Sequence, residues 1–419
     1  MELSNFDRIV LEELVPACGC TEPIALAFAA ALARETLGKM PERANIRVSG
    51  NVIKNVKSVT IPNSNGMKGI LPAVFLGIAG GNSSLKLETL SQVGQTEIEL
   101  AQQLMKSVPA TVEKIADEGD LVIEIELFAG REQSKVRVAG AHTNVTHLSK
   151  NDTLLVERPD GPGKELQDPR DELTITRILD YIQKPVSRPV REAIQTQIQL
   201  NSAISAEGLQ KPYGANVGRL ILGAEHCGVA ERASARAAAG SDARMSGSTM
   251  PVVINSGSGN QGLTVSMPVI EFAETTGKSE EELIRALLLS NLVSVRIKSG
   301  MGKLSAFCGA VSAACGSGAA VCYLSGGSQT QIENTIAVTL AVVAGMICDG
   351  AKASCAAKVA SAVQAAFLAK DMALRGIHFN CGDGLVSSDI ESTIDNYVKL
   401  AAQGMQETDE VILDMMVRE

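Results

Sequence analysis

Residues 298–358, KSGMGKLSAFCGAVSAACGSGAAVCYLSGGSQTQIENTIAVTLAVVAGMICDGAKASCAAK, decide how the rest of this chain is organised. Between Lys303 and Asp349 the only charged residue is Glu333, so the segment is expected to be buried. Thiols in such a segment are either inert core residues or ligands of a soft metal. The stretch holds five of the nine cysteines, which are Cys308, Cys315, Cys322, Cys348 and Cys355.

Two of these cysteines, Cys348 and Cys355, lie seven residues apart, a spacing of two helical turns that can place both sulfurs on one helix face. The Asp349-Gly350 pair between them favours a different arrangement, a loop that enters the next helix with one thiol on each element. Cys308 lies in a run rich in Gly, Ala and Ser that lets backbones approach closely. We predict that Cys308, Cys348 and Cys355 together hold an iron–sulfur cluster.

Length and composition exclude several classes of protein. A chain of 419 residues can bury a large core and is expected to form two subdomains. The absence of Trp, with 3% aromatic residues, argues against base stacking, and a net charge of −9 argues against a nucleic-acid or anionic membrane surface. Nine cysteines, with no basic and apolar leader pattern at the N-terminus, predict a reducing cytoplasmic location.

The uncharged stretch over residues 304–332 raises the possibility of a membrane-spanning helix. It is rich in Gly and Ser, and the more apolar segment over 336–347 has twelve residues. A bilayer span needs about 20. We therefore predict a buried helical hairpin and no membrane insertion.

The order of the expected elements predicts an α+β fold, with a mostly helical Ala/Gly-rich C-terminal bundle and a smaller N-terminal α+β subdomain. Before a linker at residues 160–170, strands are expected over 46–53, 58–61, 121–128, 134–138 and 152–157, and helices over 3–14, 24–37, 66–81 and 97–107. After the linker, helices are expected over 171–184, 188–205, 217–239, 278–296, 328–347, 353–375 and 388–406. We divide the chain into N-terminal helices that pack on the helical domain (1–40), the small α+β subdomain (41–165) and the helical domain (166–419).

A cysteine-containing motif, Pro16-Ala-Cys-Gly-Cys20-Thr-Glu-Pro23, precedes the helix expected from residue 24. Thr21 is expected to cap this helix, with Pro23 in its first turn. Cys18 or Cys20 would then lie at the helix N-terminus, where the dipole lowers the pKa of a thiol and favours the thiolate. A buried structural cysteine is the alternative.

A glycine-rich loop follows a strand-like run at Pro251-Val-Val-Ile-Asn-Ser-Gly-Ser-Gly-Asn-Gln-Gly262. A dinucleotide site would need a βαβ unit, but the pattern after this loop, over residues 265–274, is helical. We predict instead a loop that binds a small anion such as a carboxylate, the alternative being a simple turn. Its binding groups would be Ser256, Gly257, Ser258, Gly259, Asn260 and Gln261.

Further polar residues are candidates for a cleft. Arg244, in Ser241-Asp-Ala-Arg244-Met, can clamp a carboxylate bidentately or can form a structural ion pair with a neighbouring acid. Five more polar residues can point from the predicted sheet into a cleft or lie in ordinary turns, and these are Asn51, Lys54, Asn55, His142 and Asn144.

Taken together, these motifs resemble the L-cysteine desulfidase family, which is related to the α-chain-like domain of iron–sulfur L-serine dehydratases. The resemblance implies a lyase, independent of pyridoxal phosphate (PLP), that carries a [4Fe–4S] cluster on Cys308, Cys348 and Cys355. Cys20 matches the family's fourth motif cysteine, a catalytic thiolate or transient cluster ligand. The matched motifs are Gly19-Cys20-Thr-Glu-Pro23, Gly-Asn51-x-x-Lys54-Asn55, His142-Thr-Asn144, Ser241-Asp-Ala-Arg244-Met, Asn255-Ser-Gly-Ser-Gly-Asn-Gln-Gly262, Leu304-Ser-Ala-x-Cys308 and Cys348-Asp-Gly-Ala-x-x-Ser-Cys355.

The resemblance further implies elimination of sulfide from L-cysteine, giving pyruvate, ammonia and hydrogen sulfide. In this hypothesis the glycine loop and Arg244 hold the substrate carboxylate, Asn51 and Asn144 orient the amino acid, and Cys20 removes the Cα proton as a thiolate. An L-serine dehydratase using the same cluster, or a non-catalytic iron–sulfur sensor, are the alternatives. The expected partner is a small amino-acid substrate rather than a nucleic acid or a membrane, and a homodimer is compatible with the sequence.

Overall fold

The computed structural model describes residues 3–115, 121–160, 168–301 and 306–418. Within these ranges the chain is an α+β protein, in which helices dominate after residue 168 and a six-stranded sheet lies before it. The predicted fold class is therefore confirmed. Most of the predicted linker, residues 161–167, and residues 304 and 305 of the motif ending at Cys308 lie outside the described ranges.

The strands are β1 (Pro16–Cys18), β2 (Arg43–Val48), β3 (Ala110–Lys114), β4 (Val122–Ala129), β5 (Glu132–Ala139), β6 (Val145–Lys150), β7 (Thr153–Glu157) and β8 (Pro251–Val253). The six-stranded sheet has the order β3-β2-β4-β5-β6-β7, with β2 and β3 parallel and the other pairs antiparallel. Strands β1 and β8 pair antiparallel, Ala17 opposite Val252. This short pairing brings the N-terminal cysteine motif beside the glycine loop.

The α-helices before residue 168 are α1 (Asn5–Glu13), α2 (Thr21–Leu37), α3 (Gly50–Val56), α4 (Ile70–Gly80) and α5 (Gln95–Ser107). Those after it are α6 (Ile175–Ile182), α7 (Arg188–Gln210), α8 (Val217–Leu222), α9 (Val229–Met245), α10 (Gly259–Thr276), α11 (Glu280–Ser299), α12 (Gly309–Leu324), α13 (Gln329–Val343), α14 (Ser354–Leu374), α15 (Ile390–Lys399) and α16 (Gln406–Arg418). Short 3₁₀ helices occur at Ser83–Glu88 and Pro169–Glu172, and a π-helical turn, Leu400–Gly404, joins α15 to α16.

Several predicted elements are wrong. Residues 50–53 were expected to extend a strand but begin α3, and residues 58–61 form only a single bridge, Thr60 to Lys68. Val52 and Val56, four residues apart, are both fully buried on one face of α3. Tertiary packing therefore overrides the strand preference of the Val52-Ile53 pair. The predicted helix over 217–239 is broken between α8 and α9. Strands β3 and β6 and helix α16 were not predicted.

The uncharged segment forms consecutive helices, α12 and α13, that pack against each other. Within the described chain, no helix is both long enough and apolar enough to cross a membrane. Cys315 and Cys322, on α12, are fully buried in the main core. Helix α12 approaches α11 so closely that a Cβ at Gly316 would lie 2.2 Å from the carbonyl oxygen of Ser290.

Replacing this glycine tests the close packing of α11 on α12. Gly316→Ala is expected to lower the free energy of unfolding by about 1–3 kcal/mol, because the added methyl group must push two packed backbones apart. The matched control is Gly345→Ala, where an added Cβ would meet nothing within 4 Å. Thermal unfolding of the two variants measures the difference, and equal midpoints would contradict the packing described here.

Candidate active site

A cavity of about 100 Å³ lies where the N-terminal motif, α3, the end of α9, the glycine loop and the cysteine-rich segment converge. It is lined by predicted site residues from every one of these segments, namely Cys20, Lys54, Asn55, Arg244, Ser258, Asn260, Gln261, Cys308, Cys348 and Cys355. Thr21, Glu22, Lys298 and Phe307 also line it, although none of them was predicted to be a site residue. The chain thus gathers distant motifs around one small space.

A short backbone pairing brings two of the three candidate ligand cysteines together. Phe307 and Ile347 form an antiparallel bridge, flanked by hydrogen bonds from Cys308 N to Met346 O (2.9 Å) and from Cys348 N to Ala306 O (2.6 Å). Cys308 and Cys348 are therefore diagonal neighbours on one face of this pairing. Diagonal neighbours in an antiparallel pair are roughly 7–8 Å apart, within reach of one inorganic cluster.

The third cysteine, Cys355, lies in the first turn of α14, after a loop that begins at Cys348. Gly350 in this loop has φ +94°, and a Cβ there would lie 2.4 Å from the carbonyl oxygen of Lys54. The ammonium group of Lys358 donates to Ile347 O (2.8 Å) and pairs with Asp349. The two cysteines are thus separated by a loop, as the Asp-Gly pair predicted, and do not share a helix face.

The three thiols influence one another electrostatically. Burial raises the pKa of the Cys308 thiol to about 12, with the charges of Cys348 and Cys355 adding to the rise. Burial also raises the pKa of Cys355, and the charge of Cys348 acts in the same direction. Neighbouring thiolates repel each other, so a cation shared by all three is what stabilises them together.

The chemistry of the donor set decides which metal centre it suits. Among the described residues, no three His, Cys, Asp or Glu side chains are placed to hold one metal ion. Cys308, Cys348 and Cys355 nevertheless line a common cavity, and three soft sulfur donors suit an iron–sulfur centre.

The N-terminal motif places Cys20 as the N-cap residue of α2, which corrects the prediction that Thr21 is the cap. Instead, the Thr21 hydroxyl donates to Gly257 O (3.0 Å), tying the motif to the glycine loop. The Cys20 thiol donates to Glu22 Oε2 (3.0 Å). Burial and the charge of Glu22 raise the pKa of Cys20 well above its usual value, although Arg244 lowers it. Burial therefore opposes the stabilisation of a Cys20 thiolate that was expected from the helix dipole.

Glu22 contacts three of the predicted site residues, although it was not itself predicted to belong to the site. Asn55 Nδ2 donates to Glu22 Oε1 (3.2 Å), and His142 Nε2 lies 3.6 Å from the same oxygen. Burial acts to raise the Glu22 pKa, but His142 and Cys20 together lower it to about 2. Glu22 lies inside the quoted motif, so an acid between a cysteine and a proline was the available signal.

Arg244 is a buried cation, 2% exposed, in the last turn of α9. No carboxylate of the described residues forms an ion pair with it, and its Nε has no hydrogen-bond partner. The neighbouring acid, Asp242, instead accepts the backbone N–H of Gly218 (3.1 Å). A Cβ at Gly259 would lie 2.3 Å from Arg244 Nε, so this glycine makes room for the side chain. The guanidinium group is therefore held beside the cavity without an internal acid.

The glycine loop is anchored from behind by a buried amide network. Asn255 Nδ2 donates to Asn291 Oδ1 (3.0 Å), and the Ser294 hydroxyl donates to Asn255 Oδ1 (3.0 Å). At the front, Asn260 Oδ1 and Gln261 Oε1 are buried without a partner. Helix α10 begins at Gly259, so its first N–H groups lie beside these amides.

The remaining predicted site residues do not line the cavity. Ser256 (φ +49°) and Gly257 (φ +78°) form the turn of the loop, with the His142 ring against Gly257. Asn144 Nδ2 donates to Ala139 O (2.9 Å) in the turn between β5 and β6, and Asn51 is half-buried at the start of α3. Asn51 and Asn144 are therefore not among the residues that line the cavity, and the orienting role expected for them stays a prediction.

Comparisons with known proteins point in one direction. A family model described as serine dehydratase alpha chain matches residues 84–414. The chain is 45% identical over 415 residues to a UPF0597 protein of Lachnoclostridium phytofermentans, covering 98% of each chain. It is 45% identical over 414 residues to one of Desulfitobacterium hafniense (98% of this chain, 96% of that one) and 42% identical over 420 residues to one of Finegoldia magna (99% and 100%).

Proposed function

Because the chain belongs to the serine dehydratase alpha chain family, we propose that it is an iron–sulfur lyase whose own reaction is elimination of sulfide from L-cysteine. The products are pyruvate, ammonia and hydrogen sulfide. One observation carries the proposal, namely that the three candidate ligand cysteines and a buried arginine with no internal acid line the same cavity. A sensor would need the thiols but would have no use for a carboxylate-binding cation beside them.

In this proposal Cys308, Cys348 and Cys355 hold a [4Fe–4S] cluster, and PLP is not needed. With only three protein ligands, such a cluster supplies one iron with an open position, a soft Lewis acid for the sulfur that leaves. Lys358, close to Cys308 and Cys348, offsets part of the negative charge of the thiolates.

The polar side of the cavity binds the amino-acid part of the substrate. Arg244 presents its guanidinium group to the carboxylate, which is the bidentate pairing that arginine makes best. The unpartnered oxygens of Asn260 and Gln261 accept hydrogen bonds from the substrate ammonium group. Arg244 Nε and the side-chain oxygens of Asn260 and Gln261 thereby gain partners of the matching kind.

Cys20 handles the Cα proton. Its thiol donates to Glu22 Oε2, and because its pKa is raised it loses this proton to solvent on the alkaline side. Cys20 then takes the Cα proton as a thiolate. The aminoacrylate released by elimination loses ammonia in water and yields pyruvate.

The pH dependence of turnover tests this role for Cys20. Because burial and Glu22 raise the pKa of Cys20, kcat/KM is expected to rise with pH toward the alkaline side. Glu22→Gln removes a negative charge beside the sulfur, so the pKa of Cys20 falls and the rising limb moves to lower pH. Cys20→Ser is the comparison and should keep the cluster while losing turnover. A rising limb that stays in place in Glu22→Gln would show that another group takes the proton.

The deciding experiment is an anaerobic assay of the reconstituted protein with L-cysteine and L-serine, measuring pyruvate and sulfide. Pyruvate with an equal amount of sulfide from L-cysteine, at a higher kcat/KM than for L-serine, supports the proposal. L-serine dehydration is the second candidate, favoured by the family match, and would give pyruvate without sulfide. A brown protein that converts neither amino acid would overturn both.

A further inference from the structure

The C-terminal helix α16 docks on α3, the short helix that carries Lys54 and Asn55 to the cavity. Leu413 of α16 fits against Gly50 so tightly that a Cβ there would lie 2.6 Å from Leu413 Cδ2. The ammonium group of Lys57 donates to the carbonyl oxygen of Met416. Within the described chain, α3 and the π-helical turn are the main contacts of α16.

The most informative of these contacts is the ion pair between Lys54 and Asp409. Lys54 is 2% exposed and lines the cavity, whereas the Asp409 side chain is 22% exposed on the outer side. Next to it, Asn55 hydrogen-bonds Glu22. The cysteine loop lies on the inner side, because a Cβ at Gly350 would meet the Lys54 carbonyl oxygen at 2.4 Å. Helix α3 is therefore held between the cysteine loop and α16.

We propose that Asp409 is a positioning residue, and that α16 is a strap that closes the cavity by holding Lys54 against it. The role for catalysis rests on the proposed function, whereas the closure is a property of the fold. A buried ammonium group needs a counter-ion, and Asp409 supplies it. Without this ion pair, the free energy of the Lys54 ammonium group is lower in water than in the buried site. The side chain then moves out, and the cavity is no longer covered on the side of α3.

Helix α16 is built to open locally. Val411 and Met415 are 51% and 61% exposed, and Leu413 is the one apolar side chain of its described part that is buried. The π-helical turn at Leu400–Gly404 joins it to α15, and such turns are frequent at functional sites. A helix with so few buried contacts detaches at a small fraction of the cost of global unfolding.

The test is the rate at which iodoacetamide modifies each cysteine of the full-length apo-protein, followed by peptide mass spectrometry. In Asp409→Asn, the cavity thiols are expected to react about tenfold faster than in the wild type. Asp409→Glu should restore protection. The matched control is Asp414→Asn, the same change at an exposed position of the same helix. Exposed Cys381 serves as the rate reference, and buried Cys315 must stay protected, which excludes global unfolding.

Leu413→Ala provides a second route to the same opening and should also speed the reaction of the cavity thiols. Equal rates in Asp409→Asn and Asp414→Asn would overturn the strap. In the reconstituted enzyme, Asp409→Asn should raise KM for L-cysteine more than it lowers kcat. Alkylation needs no turnover, so the two proposals can fail separately. If the cavity thiols of Asp409→Asn react faster but the wild-type protein has no lyase activity, the strap is supported and the proposed lyase is rejected. If the wild-type protein is an active lyase but Asp409→Asn leaves the alkylation rates unchanged, the lyase is supported and the strap is rejected.

Discussion

Cys348→Ala is expected to lose both the iron–sulfur chromophore and all measurable turnover. Cys348 is one of the three proposed ligands, and its charge adds to the burial that raises the pKa of both Cys308 and Cys355. Only Cys308 and Cys355 then remain of the three proposed ligands, too few for a cubane that must also keep one iron open. The loss of turnover should exceed the 10–100-fold typical of changes around a metal site, since a ligand itself is removed.

Iron and acid-labile sulfide per chain, the visible absorption spectrum and pyruvate formation after anaerobic reconstitution measure this outcome. The matched control is Cys315→Ala, a buried cysteine of α12 that does not line the cavity. It should keep the chromophore and turnover, with a lower unfolding midpoint from the small void. A Cys348→Ala protein that still binds four irons per chain would show that another set of ligands holds the cluster.

Much of the fold and part of the site could be predicted because burial leaves a local trace in the sequence. The 44 uncharged positions that surround Glu333 between Lys303 and Asp349 indicated the packed helices α12 and α13. The Asp349-Gly350 pair indicated a loop, since glycine permits the positive φ that position 350 adopts. In both cases the physical cause lies within the segment itself.

The rest depends on contacts between residues far apart in the chain. Residues 50–53 have the composition of a strand, but burial of Val52 and Val56 makes them helical. The Cys20 pKa was expected to fall at a helix N-terminus, and it rises because the surrounding fold removes water. Asp409 pairs with Lys54, which lies 355 residues away in the chain. The sequence around either residue does not indicate which residue it pairs with.

Arg244→Ala is expected to lower kcat/KM for L-cysteine by about 10²–10³-fold while the cluster remains. Removing one member of a buried, hydrogen-bonded charge pair costs about 2–5 kcal/mol, and 1.4 kcal/mol corresponds to a factor of ten. On the polar side Asn260 and Gln261 present unpartnered oxygens, which do not bind a carboxylate. Arg244→Lys should recover only part of the loss, because a single ammonium cannot reproduce the guanidinium fork.

Cysteamine, which is L-cysteine without its carboxylate, turns this expectation into a double-mutant cycle. If Arg244 binds the carboxylate, cysteamine should inhibit the wild type only weakly. The substitution Arg244→Ala should change this inhibition little, because the contact between Arg244 and the carboxylate is already absent with cysteamine and cannot be lost a second time. Arg236→Ala is the matched control on α9, because Arg236 pairs with Glu271 (2.9 Å) and does not line the cavity. It should leave KM for L-cysteine unchanged. Equal losses of L-cysteine and cysteamine affinity in Arg244→Ala would mean that Arg244 supports the cavity wall and does not bind the carboxylate.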